Sequence, residues 1–398
     1  MGPVISEGII EAETSIVIDP ASKRLGVAWI SLGVAPSAMG FAFSTDLGAS
    51  WTMPGEVTAP AGRESSDPVL AVDAAGNFFL AFVGFRRDQG GNPFDMHIYV
   101  AESPAGSTTF LPPVEATDPN NTTAQYDKPW IVVTKNGTIA VSYLFQRTDL
   151  TYSEAISRSP NGQTWTQGNI TPVTGTTAYN LSYFCYDAST ARLHAVMIAD
   201  SGGTNFDVVM AHSDDNGQSW SLPVSIAGKS TTGEQIAADD PTCVAFGGKV
   251  YALYGVATGP LMQQDGAQSS ISLNLVTLTQ NGSVKAGVQK IQDPSAGTVF
   301  QHATIAADQA GNAFVVYYAA SSDDDMNGSY RVAHLGNVAN LAPQPSQAYV
   351  TPIYYTIVRA SQTWLGDYTG LTVDKGTAYT SFVTNEPGPS QIAFTSLP

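Results

Sequence analysis

Four aspartates recur at one kind of position: Asp67, Asp127, Asp240 and Asp367 each open an apolar strand pattern. Carboxyl groups gathered at one rim could act as a general acid and its base, because burial and like charge raise the pKa of one of them. Cleavage of a glycosidic bond needs such a pair flanking it. The competing reading makes them strand-entry residues whose carboxylates accept amide hydrogen bonds. His302 stands at an equivalent strand start, and Tyr126 and Tyr368 lie beside Asp127 and Asp367. His302 is a candidate base and Tyr368 a candidate acid or nucleophile. Tyr126 and Trp364 offer aromatic faces to the C–H surface of a sugar. Arg86 and Arg147, from loops expected on the same face, could grip a carboxylate by paired hydrogen bonds. Equally, they could pair with Asp88 and Asp149 at the surface.

A metal reading attaches to Asp323, Asp325 and Asn327, whose D-x-D-x-N-G spacing can present oxygens to Ca²⁺. The bidentate carboxylate that completes such a loop is missing at the usual distance, so a solvated turn competes with it. No zinc-spaced His/Cys set, phosphate loop or G-x-S-x-G nucleophile motif is present.

The elements that must position these residues repeat. Tight turns stand at Asp19–Arg24, Asp73–Asn77, Lys135–Gly137, Asp187–Ala191, Phe246–Gly248, Asp308–Asn312 and Asp374–Gly376, each between two apolar or alternating strands. Their spacing of roughly fifty to sixty-five residues suits a propeller array. The reading is an all-β chain, one domain over 1–398, forming a seven-bladed β-propeller of four-stranded antiparallel blades, with six blades as the alternative. Units begin near Glu13, Ser66, Asp127, Asn180, Asp240, His302 and Asp367. The last has three strands, and the strand-like Val4–Ile10 segment is expected to supply its fourth and close the ring. In such a meander the first-strand starts and the second-to-third loops share one face.

Composition bounds the partners. The chain has 398 residues, 43% hydrophobic and only 13% charged, with a net charge of −17. That balance argues against nucleic acid or an anionic membrane, since both need a basic face. No apolar run reaches membrane-spanning length, and no signal peptide is visible in this chain. Cys185 and Cys243 lie in apolar strand patterns and read as two buried free thiols.

A second motif alternates with the turns. Ser44-Thr45-Asp46-Leu47-Gly48-Ala49-Ser50-Trp51 and Ser213-Asp214-Asp215-Asn216-Gly217-Gln218-Ser219-Trp220 both read S-x-D-x-G-x-S-W. Shortened or worn versions stand at Ser159–Trp165 and Ser103–Phe110. This resembles the Asp-box, or bacterial neuraminidase repeat, of the sialidase superfamily, as does Gly366-Asp367-Tyr368-Thr369-Gly370-Leu371 near the end of the chain. The resemblance implies a secreted or cell-surface propeller, monomeric and acting on glycans at its axial rim. It could be a glycoside hydrolase or uronic-acid lyase; the alternative is a non-catalytic glycan-binding or adhesion propeller. Catalytic sialidases carry an arginine triad and an Arg-Ile-Pro near the first blade. Here the first strand reads Glu13-Thr14-Ser15-Ile16 and no first-strand start holds an arginine. The resemblance therefore carries no triad residue onto this chain.

Overall fold

The computed structural model describes residues 5, 11–32, 36–121, 123, 125–147, 151–202, 206–228, 234–237, 240–258, 270–283, 288–291, 299–320, 327–340, 348–356, 365–384 and 390–398. Asp323, Asp325 and Trp364 lie outside these residues, as does the side chain of Asn327, so the calcium reading and the Trp364 platform fall outside what is described.

The chain is a β-propeller built from four-stranded antiparallel meanders. Four separate sheets of four strands start at Glu11–Ile18, Glu64–Val72, Tyr126–Val133 and Ala178–Asp187. A three-stranded sheet starts at Gly370–Asp374 and ends with Gln391–Leu397. The remaining strands form one nine-stranded sheet rather than two four-stranded ones. It holds two antiparallel meanders, with first strands Thr242–Phe246 and Val299–Ala307, tied by a single parallel pair, Ile271 with Val299. The first strand of each meander contacts that of the next in chain order, and Gly370–Asp374 contacts Glu11–Ile18. The contacts thus run round a ring, with each sheet's apolar faces covered by its neighbours. Trp29, Phe314, Tyr330 and Phe382, for example, share one core cluster that joins the first unit, the last unit and the meander before it.

Local chemistry explains the turns. Asp73 Oδ1 accepts the amides of Ala75 and Asn77 at 2.9 Å, and Gly76 takes φ +84°. Asp308, Ala310, Gly311 and Asn312 repeat that pattern. Some of these carboxylates also tie units together: Asp308 Oδ2 accepts Gly376 N at 2.7 Å and Asp187 Oδ2 accepts Gly248 N at 2.9 Å.

The two S-x-D-x-G-x-S-W turns are alike bond for bond. Ser44 Oγ accepts Gly48 N and donates to Asp46 Oδ1, both at 2.8 Å, while Asp46 accepts Ser50 N and Oγ. Ser213, Asp215, Gly217 and Ser219 make the same set. The tryptophans fold back into the structure, Trp51 against Phe394 and Trp220 against Phe184.

One reading is corrected. Cys185 and Cys243 form a disulfide, with Cα atoms 5.8 Å apart. They lie on the first strands of the fourth and fifth units, which pack side by side at the axis. Sequence patterning within each strand is blind to that meeting.

Candidate functional site at the propeller axis

Five first strands carry the same irregularity near their starts. Pairing with the second strand slips between Ala12 and Thr14, Ser66 and Val69, Asp127 and Trp130, Asn180 and Tyr183, and Gln301 and Thr304. In each the extra residue is left-handed: Glu13 at φ +46°, Asp67 at +58°, Lys128 at +51°, Leu181 at +60° and His302 at +52°. These are β-bulges, which re-aim a side chain out of the pleat. Just before the last sheet, Gly366 lies in the left-handed region at φ +86°, and a Cβ there would lie 1.9 Å from Glu13 Cγ. Only glycine fits that approach.

The bulges place Lys128 at the centre of a carboxylate cluster. Its amine donates to Asp367 Oδ2, lies 3.9 Å from Asp67 Oδ1, and sits 5.1 Å above the ring of Tyr368. Burial alone would lower the Lys128 pKa, but Asp67, Asp240, Asp367 and Glu13 outweigh it and raise the value. Glu13 is fully buried; its Oε1 accepts Asp367 N at 2.9 Å. Burial, then the charge of Asp67, pushes the Glu13 carboxyl well above the usual range. Asp67 is raised by burial although Lys128 pulls against it. Tyr368 donates weakly to Asp67 Oδ1 at 3.4 Å, and burial followed by Asp67 lifts its phenol far up.

Asp127 joins the same cluster. Burial, and then the Asp67 charge, pushes its carboxyl up to about 7. Its Oδ1 also accepts Lys128 N at 2.9 Å, just as Asn180 Oδ1 accepts Leu181 N at 2.8 Å in the next unit. The strand-entry reading therefore describes part of what Asp127 does: it supports the bulge. Asp240, His302, Asp367 and Tyr368 line one axial cavity with Lys128, Trp130 and Tyr183. Trp130 lies against Tyr183 with centroids 3.7 Å apart and the rings tilted by 32°, and meets Tyr368 edge-on at 6.0 Å. The cavity has a volume of about 10 Å³, room for about one water.

The other candidates fall elsewhere. Tyr126 is buried beside Tyr143, Phe145 and His97, and its hydroxyl accepts from Asn121. Arg86 lies 3.6 Å from Asp95, and Arg147 donates to Gly175 O and Thr151 Oγ1. Neither arginine lines the axial cavity.

Lys128 and Glu154 escape the sequence reading, which gives Glu13 only as the start of a unit. Lys128 holds a bulge position that plain alternation assigns to its neighbour Asp127. The signal was available in proline: Asp67-Pro68, Lys128-Pro129 and Asp240-Pro241 align Lys128, not Asp127, with Asp67. Glu154 is wholly buried on the third strand of the third unit and accepts Ser182 Oγ at 2.7 Å. Burial pushes its carboxyl up to about 8, and Ser182 itself lines the cavity. Among the described residues no group of His, Cys, Asp and Glu is arranged to hold a metal.

The propeller fold is shared with known carbohydrate enzymes. The Hadza microbial sialidase Hz136 matches all of this chain and 68% of its own, with 14% identity and a TM-score of 0.56. The chain has a sialidase-like propeller fold. An α-L-arabinanase of Penicillium chrysogenum, solved with arabinobiose, matches this propeller over 97% of the chain and 93% of its own, at 12% identity and a TM-score of 0.52. A protein of unknown function from Dyadobacter fermentans matches 80% of the propeller and 94% of its own chain, at 18% identity and a TM-score of 0.57. No protein-family model matches the sequence, and neither does any curated protein. At these identities the likeness concerns the fold.

Proposed function

We propose that the chain is a secreted, single-domain glycoside hydrolase of the Asp-box type that cleaves its glycan at the axial cluster. Asp127 is the proton donor: a carboxyl titrating near 7 still carries its proton in mildly acid to neutral solution and can give it to the departing glycosidic oxygen. Asp367 is the opposing carboxylate, held by Lys128 and with 36% of its side chain open to solvent. It attacks the anomeric carbon or takes a proton from the water that does. Either way the C–O bond breaks, water supplies the new hydroxyl, and the proton returns to the carboxyl pair. The observation that carries this reading is the division of one cluster into a proton-holding carboxyl and a lysine-paired one.

The full architecture belongs to the same proposal: seven blades, the nine-stranded sheet counting as two, with the N-terminal segment completing the last. Buried Ile5 supports it, since its amide donates to Ile392 O of the final strand at 2.8 Å. Secretion is supported by the Cys185–Cys243 bond, which suits an oxidising compartment.

The smallness of the axial cavity favours a second reading, a glycan-binding propeller without turnover. Incubation with a panel of neutral and acidic glycans separates the two. Release of reducing ends that disappears in Asp127→Asn and Asp367→Asn is expected. Retention of glycan without release, unchanged in both variants, would refute hydrolysis and leave the binding reading.

A further inference from the structure

A larger cavity lies away from the axis, between the fourth and fifth units, with a volume of about 390 Å³. That is within the range of small-molecule sites, about 300–1,000 Å³. One wall is the outer strand of the fourth unit, with Ile226, Ala227 and the adjoining Gly228. The facing wall is a cross-strand row of the fifth: Tyr254 pairs with Asn274, and Asn274 with Lys290. Gln235 and Val288 complete the sides.

Asn274 is out of character for its place. It sits mid-strand in Ser270–Thr279, between Leu273 and Leu275, where asparagine is disfavoured. It is only 8% exposed, and its buried Oδ1 has no hydrogen-bond partner among the described residues. A buried amide oxygen left unpaired costs about 1–3 kcal/mol, so a purely structural position would favour an apolar residue there. Rotating the amide exchanges its oxygen and nitrogen, so it can offer the cavity an acceptor or donors.

From this geometry we infer a second site, independent of any hydrolysis at the axis, in which the Tyr254–Asn274–Lys290 row binds a short neutral saccharide. The chemistry selects that class. The amides of Asn274 and Gln235 suit hydroxyl groups, while Ile226, Ile236, Tyr254 and Val256 supply apolar surface for ring C–H groups. One lysine among the lining residues is too little positive charge for a nucleotide's phosphates, and two amides are too polar a wall for a lipid chain.

The test uses the full chain and a set of neutral disaccharides (arabinobiose, xylobiose, cellobiose, lactose), with binding read by saturation-transfer NMR and titration. At least one should bind. Asn274→Leu should weaken it tenfold or more while leaving the fold at least as stable. Val288→Trp, which fills the cleft from a position 54% exposed, should do the same without disturbing the core. Asp127→Asn should leave this binding unchanged. The inference is overturned if none of the four binds, if binding survives both cleft variants, or if the axial substitution alone removes it.

Discussion

Replacing Asp127 by asparagine should stabilise the propeller, and more so as the pH rises. The carboxyl titrates near 3.8 when free and at about 7 in the fold. A raised carboxyl means the folded state binds the proton more tightly than the unfolded chain, so stability falls as pH climbs from the lower value to the higher. At about 1.4 kcal/mol per unit, the full penalty above pH 7 is about 4 kcal/mol, of which less than half is felt at pH 5. Asparagine keeps an oxygen for Lys128 N, preserving the bond that supports the bulge, and cannot ionise. The gain from Asp127→Asn should therefore be about 2–3 kcal/mol larger at pH 8 than at pH 5. Guanidinium unfolding midpoints of both proteins at the two pH values measure it directly. A difference that does not change with pH, or a variant less stable at pH 8, would show that Asp127 is not the buried proton holder, and the proposed acid would fall with it.

Lys128→Met should cost about 3–5 kcal/mol near pH 8, where it leaves Asp67 and Asp367 facing each other without their cation; the loss should shrink by pH 4.5 as Asp67, whose carboxyl burial holds above its ordinary range, takes up its proton, and equal losses at both pH values would refute the pairing. Gly366→Ala should destabilise by about 2 kcal/mol or more, through its left-handed backbone and the collision with Glu13, as read from the thermal midpoint. Cys185→Ser should lower stability by up to about 4 kcal/mol, the chain-entropy value for a 58-residue separation. If reducing agent leaves the unfolding midpoint of the native chain in place, the bond is not stabilising the ring.

Much of this fold is written locally. Asp73-Ala74-Ala75-Gly76-Asn77 states its turn in its own side chains, and so do the twin tryptophan turns, because donors, acceptors and positive-φ glycines all lie within a few residues. Repetition of those turns is enough to read a propeller of antiparallel meanders. The axial site is less legible because it depends on register. Alternation assumes an unbroken pleat, and a bulge shifts which residue faces the axis, so Asp127 and Asn180 were read in the places that Lys128 and Leu181 occupy. Gly175, which accepts from Arg147, and Cys243, which bonds Cys185, come from other parts of the chain, where no local spacing can announce them.

The bulges themselves argue about purpose. A left-handed residue other than glycine costs the fold about 1 kcal/mol or more, and glycine is abundant in this chain, with 37 copies. Yet Glu13, Asp67, Lys128, Leu181 and His302 all hold that conformation at the axis, while Gly366 takes it only where a side chain would strike Glu13. Stability alone would have placed glycine at each. Leu181 can repay its strain by filling space, since it lines the cavity and packs on the fourth-unit core. Glu13, Asp67 and Lys128 cannot, because each brings a charge-bearing group into a buried place and the first two are held there with raised pKa values. Side chains kept at such cost, differing from unit to unit and converging on one point, support the proposal that the axial cluster serves chemistry rather than only the ring it closes.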